Sequence, residues 1–141
     1  MQESLPITYE VEKGAIRRFA EAIGGMNPIY HDESCAVAKG YRSLVAPPTF
    51  PITFRYQNVP GLELPEQGLI HAEQSFELGV PIVAGDRITC TTRLVDDYVK
   101  EGRSGRMRFV VREVVGVNQF GETAFRSRSS VIVREGVSGS G

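Results

Sequence analysis

Ala46-Pro47-Pro48-Thr49-Phe50-Pro51-Ile52-Thr53-Phe54-Arg55-Tyr56 is rich in proline and strongly apolar at the same time. Proline has no amide hydrogen and fits only the first turn of an α-helix, so a helix here is expected to begin at Pro48 or Thr49 and run to about Tyr56. Phe50, Ile52, Phe54 and Tyr56 would make it apolar over most of its circumference. A helix of that kind belongs inside something, and the rest of the chain must supply the enclosure.

Upstream, Ile7 to Val11 alternates as a short first strand. From Lys13 to Ile23 the residues Ala15, Ile16, Phe19, Ala20 and Ile23 recur at helical spacing, and Gly24-Gly25 supplies the stop. A shorter helix is expected from Glu33 to Lys39, with Asp32 as its N-cap and Gly40 as its end. Downstream, Gln57 to Gly68 reads as a polar loop punctuated by Gly and Pro, and four strands follow. Leu69 to Leu78 is expected to place Ile70, Ala72, Phe76 and Leu78 on one face, with His71 on the polar side. Arg87 to Val99 brings Ile88, Cys90 and Leu94 together, Arg106 to Val117 is rich in Val, and Thr123 to Arg134 alternates Phe125, Ser127, Ser129, Val131 and Val133 against arginines. Glu101 to Gly105 and Asn118 to Gly121 are turns short enough to make their strands antiparallel neighbours. Helices first and strands last define an α+β domain. An antiparallel sheet of about five strands wrapped around a central apolar helix is the hot-dog fold, and its free edge is expected to pair with a second copy or a related chain.

Composition narrows the function. The chain has 141 residues, 41% hydrophobic and 23% charged, which suits one domain spanning residues 1–136, with 137–141 as a flexible tail. Sixteen basic against 17 acidic residues give a net charge of −1, which argues against nucleic acid as a partner. No apolar run approaches the ~20 residues a membrane span requires, and Met1 to Ser4 shows no signal-peptide character. Cys35 and Cys90 form no CxxC pair and read as reduced thiols in the cytoplasm. No phosphate loop or metal-ligand spacing appears, so no cofactor or metal is expected. His31 and His71 are the only histidines.

Residues 19 to 50, FAEAIGGMNPIYHDESCAVAKGYRSLVAPPTF, together with His71 to Glu77 and Pro81 to Ile88, resemble the MaoC-like acyl-thioester dehydratases, over roughly residues 6 to 134. The likeness is greatest to the N-terminal domain type that often forms the non-catalytic half of a pair. It implies reversible hydration of a trans-2-enoyl thioester, of coenzyme A or an acyl carrier protein. That reaction needs a base for the α proton and an acid for the departing hydroxyl. Active members carry an Asp and a His five positions apart, as in Gly-Asp-x-Asn-Pro-x-His. A backbone N–H after a His-Gly pair polarises the thioester carbonyl.

Here Gly24-Gly25-Met26-Asn27-Pro28-Ile29-Tyr30 sets Gly25 where the family has Asp and Tyr30 where it has His. Pro47-Pro48 stands where His-Gly is expected, which leaves the amide of Thr49 as the substitute donor. The catalytic candidates are therefore His31 and Asp32, as a shifted pair, and Tyr30. Asn27, Tyr30, Pro48, Thr49, Phe50 and Phe54 are the candidate substrate-binding residues. Arg126, Arg128 and Arg134 form either a solvated face or a contact for an anionic coenzyme A or carrier-protein partner. The leading expectation is a substrate-binding subunit, a homodimer or a heterodimer with a catalytic hot-dog partner that supplies Asp and His. The alternatives are a self-sufficient hydratase using His31 and Asp32, a hot-dog thioesterase, and a non-catalytic acyl-binding module. No carboxylate occurs in residues 46–56 for the thioesterase.

Overall fold

A computed structural model describes residues 3–54, 69–103 and 105–134. Strand β1 (Ile7–Glu10) leads into helix α1 (Lys13–Ala22), a 3-10 turn (Pro28–Tyr30), helix α2 (Glu33–Ala38) and a second 3-10 turn (Phe50–Thr53). Strands β2 (Leu69–Leu78), β3 (Arg87–Gly102), β4 (Gly105–Val117) and β5 (Thr123–Arg134) complete the order. They form one five-stranded sheet, β1-β3-β4-β5-β2, antiparallel throughout. This is the hot-dog fold expected. Among the described residues no helix is long and apolar enough to cross a membrane.

Helix α1 buries Ile16 and Ala20 and ends at Gly24, whose φ of +72° is the left-handed stop that a side chain resists. Its inner face joins Leu44, Phe50, Phe54, Ile88, Cys90, Val114 and Phe125 in a single core. Aromatic contacts organise that core. Phe50 stands edge-on to Phe19 at 5.6 Å and to Phe54 at 5.7 Å, and Phe76 stacks on Phe125 at 5.7 Å. Phe125 can lie flat there because its neighbour across the sheet is Gly116, where a Cβ would come within 2.1 Å of the ring.

The long helix expected over residues 48–56 is not formed. Only Phe50–Thr53 is helical, as a 3-10 turn, and Phe54 is already extended at φ −76° and ψ 142°. Prolines at 47, 48 and 51 remove donors that an α-helical ladder needs, and the bonds that form are the tighter ones: Phe50 N–H to Pro47 O, Ile52 N–H to Thr49 O and Phe54 N–H to Pro51 O. Nor is the segment apolar-buried all round, since Ile52 is 63% exposed while Phe50 and Phe54 are buried. Arg55 and Tyr56, the expected loop Gln57 to Gly68 and the expected tail 137–141 lie outside the described residues.

The phase of β2 also differs from a simple alternation. A bulge between His71 and Glu73 shifts the register, so Leu69 and His71 oppose Val133 and Val131, while Phe76 opposes Ser127. Ile70 is thereby turned off the core face and is 41% exposed, and Leu78, at the strand end, is also exposed. At the other side of the sheet β1 pairs only with Arg87 to Cys90 of β3, and Glu3 bridges Arg93. Among the described residues no strand flanks β3 beyond that point, where a second bulge, between Leu94 and Asp96, precedes Asp97, Lys100 and Glu101.

Candidate functional site

After α1 the chain turns sharply. Asn27 Oδ1 accepts the Ile29 amide at 3.2 Å and Pro28 occupies the first helical position, the local chemistry of a short capped turn. That turn brings Tyr30 back against Gly25. A Cβ built on Gly25 would lie 3.2 Å from two ring carbons of Tyr30 and 3.4 Å from the Ala20 carbonyl oxygen. The aromatic ring thus occupies the space in which a residue 25 side chain would begin.

His31 and Asp32 are turned to separate tasks. His31 Nε2 lies 2.8 Å from the Gly25 carbonyl oxygen, and because a carbonyl only accepts, Nε2 carries the hydrogen. Asp32 Oδ1 accepts the Cys35 amide at 3.3 Å, which makes it the N-cap of α2 as expected. No hydrogen bond joins the two side chains among the described residues. The Gly40 stop is also as expected, at φ +97°.

Beside Tyr30 a cavity of about 210 Å³ opens between Pro47, Pro48 and Pro51 on one side and Leu78 to Ile82 on the other. The Ala46 amide donates to Ile82 O and the Ala84 amide to Leu44 O, both at 2.8 Å, which fixes the two walls together. Close approach of chain segments closes the back: at Gly79 a Cβ would fall 1.9 Å from the Thr123 carbonyl oxygen. The lining is apolar except for Tyr30, and it holds no carboxylate, histidine or arginine among the described residues.

Of the sequence candidates, Tyr30 and Pro48 meet in this wall. Asn27 stands behind it as a cap, and Thr49 is exposed and outside it. Phe50 and Phe54 face the aromatic core. Sequence reading missed the segment Leu78 to Ile82, whose one signal was Gly79 set between apolar residues. Asp86, in the Pro81 to Ile88 stretch, is fully enclosed. It accepts from Arg42 Nη2 at 2.7 Å, Gln119 Nε2 at 3.0 Å and the Val83 amide at 2.9 Å, and so pins the loop that carries the cavity wall.

The arginines of β5 are engaged on the outer face of the sheet. Glu113 is 1% exposed and meets Arg93 at 2.7 Å, Arg128 at 3.0 Å and Arg126 at 3.9 Å. Burial pushes its carboxyl upward, but the three guanidiniums outweigh this and hold it below the ordinary carboxylate value. Arg134 is exposed. Both thiols are free, and burial drives that of Cys90 up to about 12, which leaves it inert.

Residues 2–127 match the model of the FAS1-like dehydratase domain region. A UPF0336 protein of Thermobifida fusca is 35% identical over 136 residues, covering 92% of this chain and 87% of its own. Among solved structures, the C-terminally truncated HadBC (3R-hydroxyacyl-ACP dehydratase) complex of Mycobacterium tuberculosis superposes with a TM-score of 0.68 at 26% identity, covering 94% of each chain. A MaoC-like dehydratase of Rhodospirillum rubrum superposes at 0.67 and 24% identity, over 94% of this chain and 88% of that one. The likeness to MaoC-like dehydratases read from residues 19 to 50 and 71 to 88 is thereby borne out. The matched span runs from before β1 through Ser127 in β5 and includes the cavity and both 3-10 turns, so the chain belongs to the family of the FAS1-like dehydratase domain region.

Proposed function

We propose that this chain is the acyl-binding subunit of a two-chain enoyl-thioester hydratase/dehydratase, taking its catalytic Asp and His from a hot-dog partner. The observation that carries the reading is the Tyr30 ring lying against Gly25. Hydration across a 2-enoyl double bond needs a group that accepts a proton and one that donates it. Where active relatives hold an ionisable pair, this chain offers a hydrogen atom and a phenol, a side chain ill suited to act as a base. The cavity beside it is apolar enough for an acyl chain and equipped for no proton transfer. The role left to this subunit is to hold the acyl group while the partner moves the protons. The likeness to the HadBC (3R-hydroxyacyl-ACP dehydratase) complex supports a paired assembly. We place the chain in the cytoplasm, as one domain over residues 1–136, with thioesters of coenzyme A or a carrier protein as ligands.

His31 as a self-sufficient base is the competing enzyme reading, and it is disfavoured because its Nε2 is tied to Gly25 O and Asp32 caps α2. The test is hydration of a short 2-enoyl-CoA, followed by loss of enoyl absorbance. The purified chain alone is expected to leave the thioester unchanged, and co-purification with a hot-dog subunit bearing an intact Asp-x-Asn-Pro-x-His motif is expected to restore turnover. Turnover by the lone chain that disappears in His31→Ala overturns the proposal. Binding of acyl-CoA without turnover in any pairing makes the chain a pure binding module instead.

A further inference from the structure

Among the described residues Arg112 is placed unlike the arginines that surround Glu113. Strand alternation puts it on the same side of β4 as Val110 and Val114, both buried, and opposite to Glu113. Its guanidinium therefore rises from the core-facing side of the sheet, whereas Arg93, Arg126 and Arg128 gather around Glu113 on the outer side. Its Nε is buried and has no hydrogen-bond acceptor. Among the described residues no carboxylate pairs with it.

Arg112 as a whole is only partly buried, but its Nε–H is withdrawn from water with no acceptor, which lowers stability. The neighbours show what would compensate it. Arg112 stands directly across from Ser129 on β5, and Ser129 across from Gln74 on β2. Directly opposed residues bring their Cβ atoms to about 5 Å, so the three form one polar row across the sheet. No hydrogen bond within the described residues uses the Ser129 hydroxyl or the Gln74 amide group. Around the row stand Leu94 across from Arg112 on β3, Val131 two residues along β5, and Val110 and Val114 on β4, with two polar neighbours on the same face, Ser127 on β5 and His71 across from Val131.

A planar, five-donor cation beside a hydroxyl and an amide, with Leu94, Val110, Val114 and Val131 around it, fits a carboxylate borne on an apolar chain. We propose that this row is an anion subsite in which Arg112 binds the carboxylate in bidentate fashion, with Ser129 and Gln74 fixing its orientation. It is separate from the Tyr30 cavity, whose lining includes none of Arg112, Ser129 and Gln74. The carboxylate has two sources, a free fatty acid or the far end of an acyl group that carries a second carboxyl.

The whole chain can be tested without a partner subunit and without turnover, so the result is independent of the proposed function. Octanoate, the coenzyme A monothioester of octanedioate, octanoyl-CoA and octan-1-ol are titrated by calorimetry into the wild type, Arg112→Leu and Arg112→Lys. The expected result is binding of the carboxylate ligands and not of octan-1-ol, weakened about tenfold or more by Arg112→Leu and partly retained by Arg112→Lys. Preference for octanoate marks the free acid as the source, and preference for the octanedioyl thioester over octanoyl-CoA marks the acyl terminus. Arg112→Leu is also expected to raise the unliganded melting temperature while abolishing its rise on adding ligand. No binding of either carboxylate by the wild type, equal binding of octan-1-ol, or unchanged affinity in Arg112→Leu overturns the assignment.

Discussion

Gly25 is not in the left-handed region of backbone space, yet a Cβ built on it would come within 3.2 Å of the Tyr30 ring. What the position lacks is room. Gly25 and Tyr30 are therefore a coupled pair, and replacing one alone sets a side chain against a ring. Gly25→Asp is expected to lower stability by about 1–3 kcal/mol, the usual range for overpacking, and to cost much less in a Tyr30→Ala background. Chemical denaturation of the two single variants and the double variant measures the coupling, and strictly additive losses would show that the ring and residue 25 do not compete. Much of this neighbourhood was legible in the sequence because its chemistry is local. Asn27, Asp32, Gly24 and Gly40 each act within a few residues of themselves, as caps or stops. The role of Asp86 was not legible, since its partners Arg42 and Gln119 lie 44 and 33 positions away.

Three strands meet at Glu113, through Arg93 on β3, Glu113 itself on β4, and Arg126 and Arg128 on β5. Because the folded carboxyl is held below its ordinary value of 4.5, its stabilising contribution is complete above that value and is lost as pH falls through the folded one. Glu113→Gln removes the counter-charge of three guanidiniums and is expected to destabilise the sheet at neutral pH. The gap between variant and wild type should narrow on acidification. Urea midpoints for both proteins from about pH 6 to about pH 3 test this, and a gap independent of pH rejects it. At this scale β2 and β5 were read from residue 69 to 78 and from 123 to 134, the bounds they have, because each has turn residues at its ends and β5 sets Phe125, Ser127, Ser129, Val131 and Val133 on one face. The bulge in β2 left no such mark: it follows from pairing with β5, a strand more than fifty positions away. The 48–56 segment does not form the expected α-helix for a local reason. Burial inferred from its aromatic content holds for Phe50 and Phe54 and not for Ile52, and three prolines decide hydrogen bonding before burial can.

At the scale of the whole molecule, the core joins α1, both flanks of the second 3-10 turn and the inner face of the sheet, and the cavity lies where those parts adjoin the ends of β2 and β5. No single stretch announces that cavity. Its wall is assembled from residues 29 to 124, so the sequence supplied two of its members, Tyr30 and Pro48, and only the fold supplies the rest. The fold class itself was readable, since it depends on the order of periodic segments rather than on any one contact.

The sheet has two unlike margins. On one side lies β2, with Ile70 and Leu78 exposed and two charged residues, Glu73 and Glu77, after its bulge. On the other, the far half of β3 opens with a bulge and carries Asp96, Asp97, Lys100 and Glu101, a row that discourages an incoming strand. A protein with one hospitable margin has a valence of one. A first neighbour adding there would use it up and leave nothing for a third, so growth is expected to end at a pair. Light scattering over rising concentration, with or without a second hot-dog chain, is expected to level off at the mass of two subunits, and larger species would show that the charged margin is open as well. Four charges and a bulge on β3 would then act as a chain terminator, separating a finite enzyme-sized assembly from an open-ended fibre.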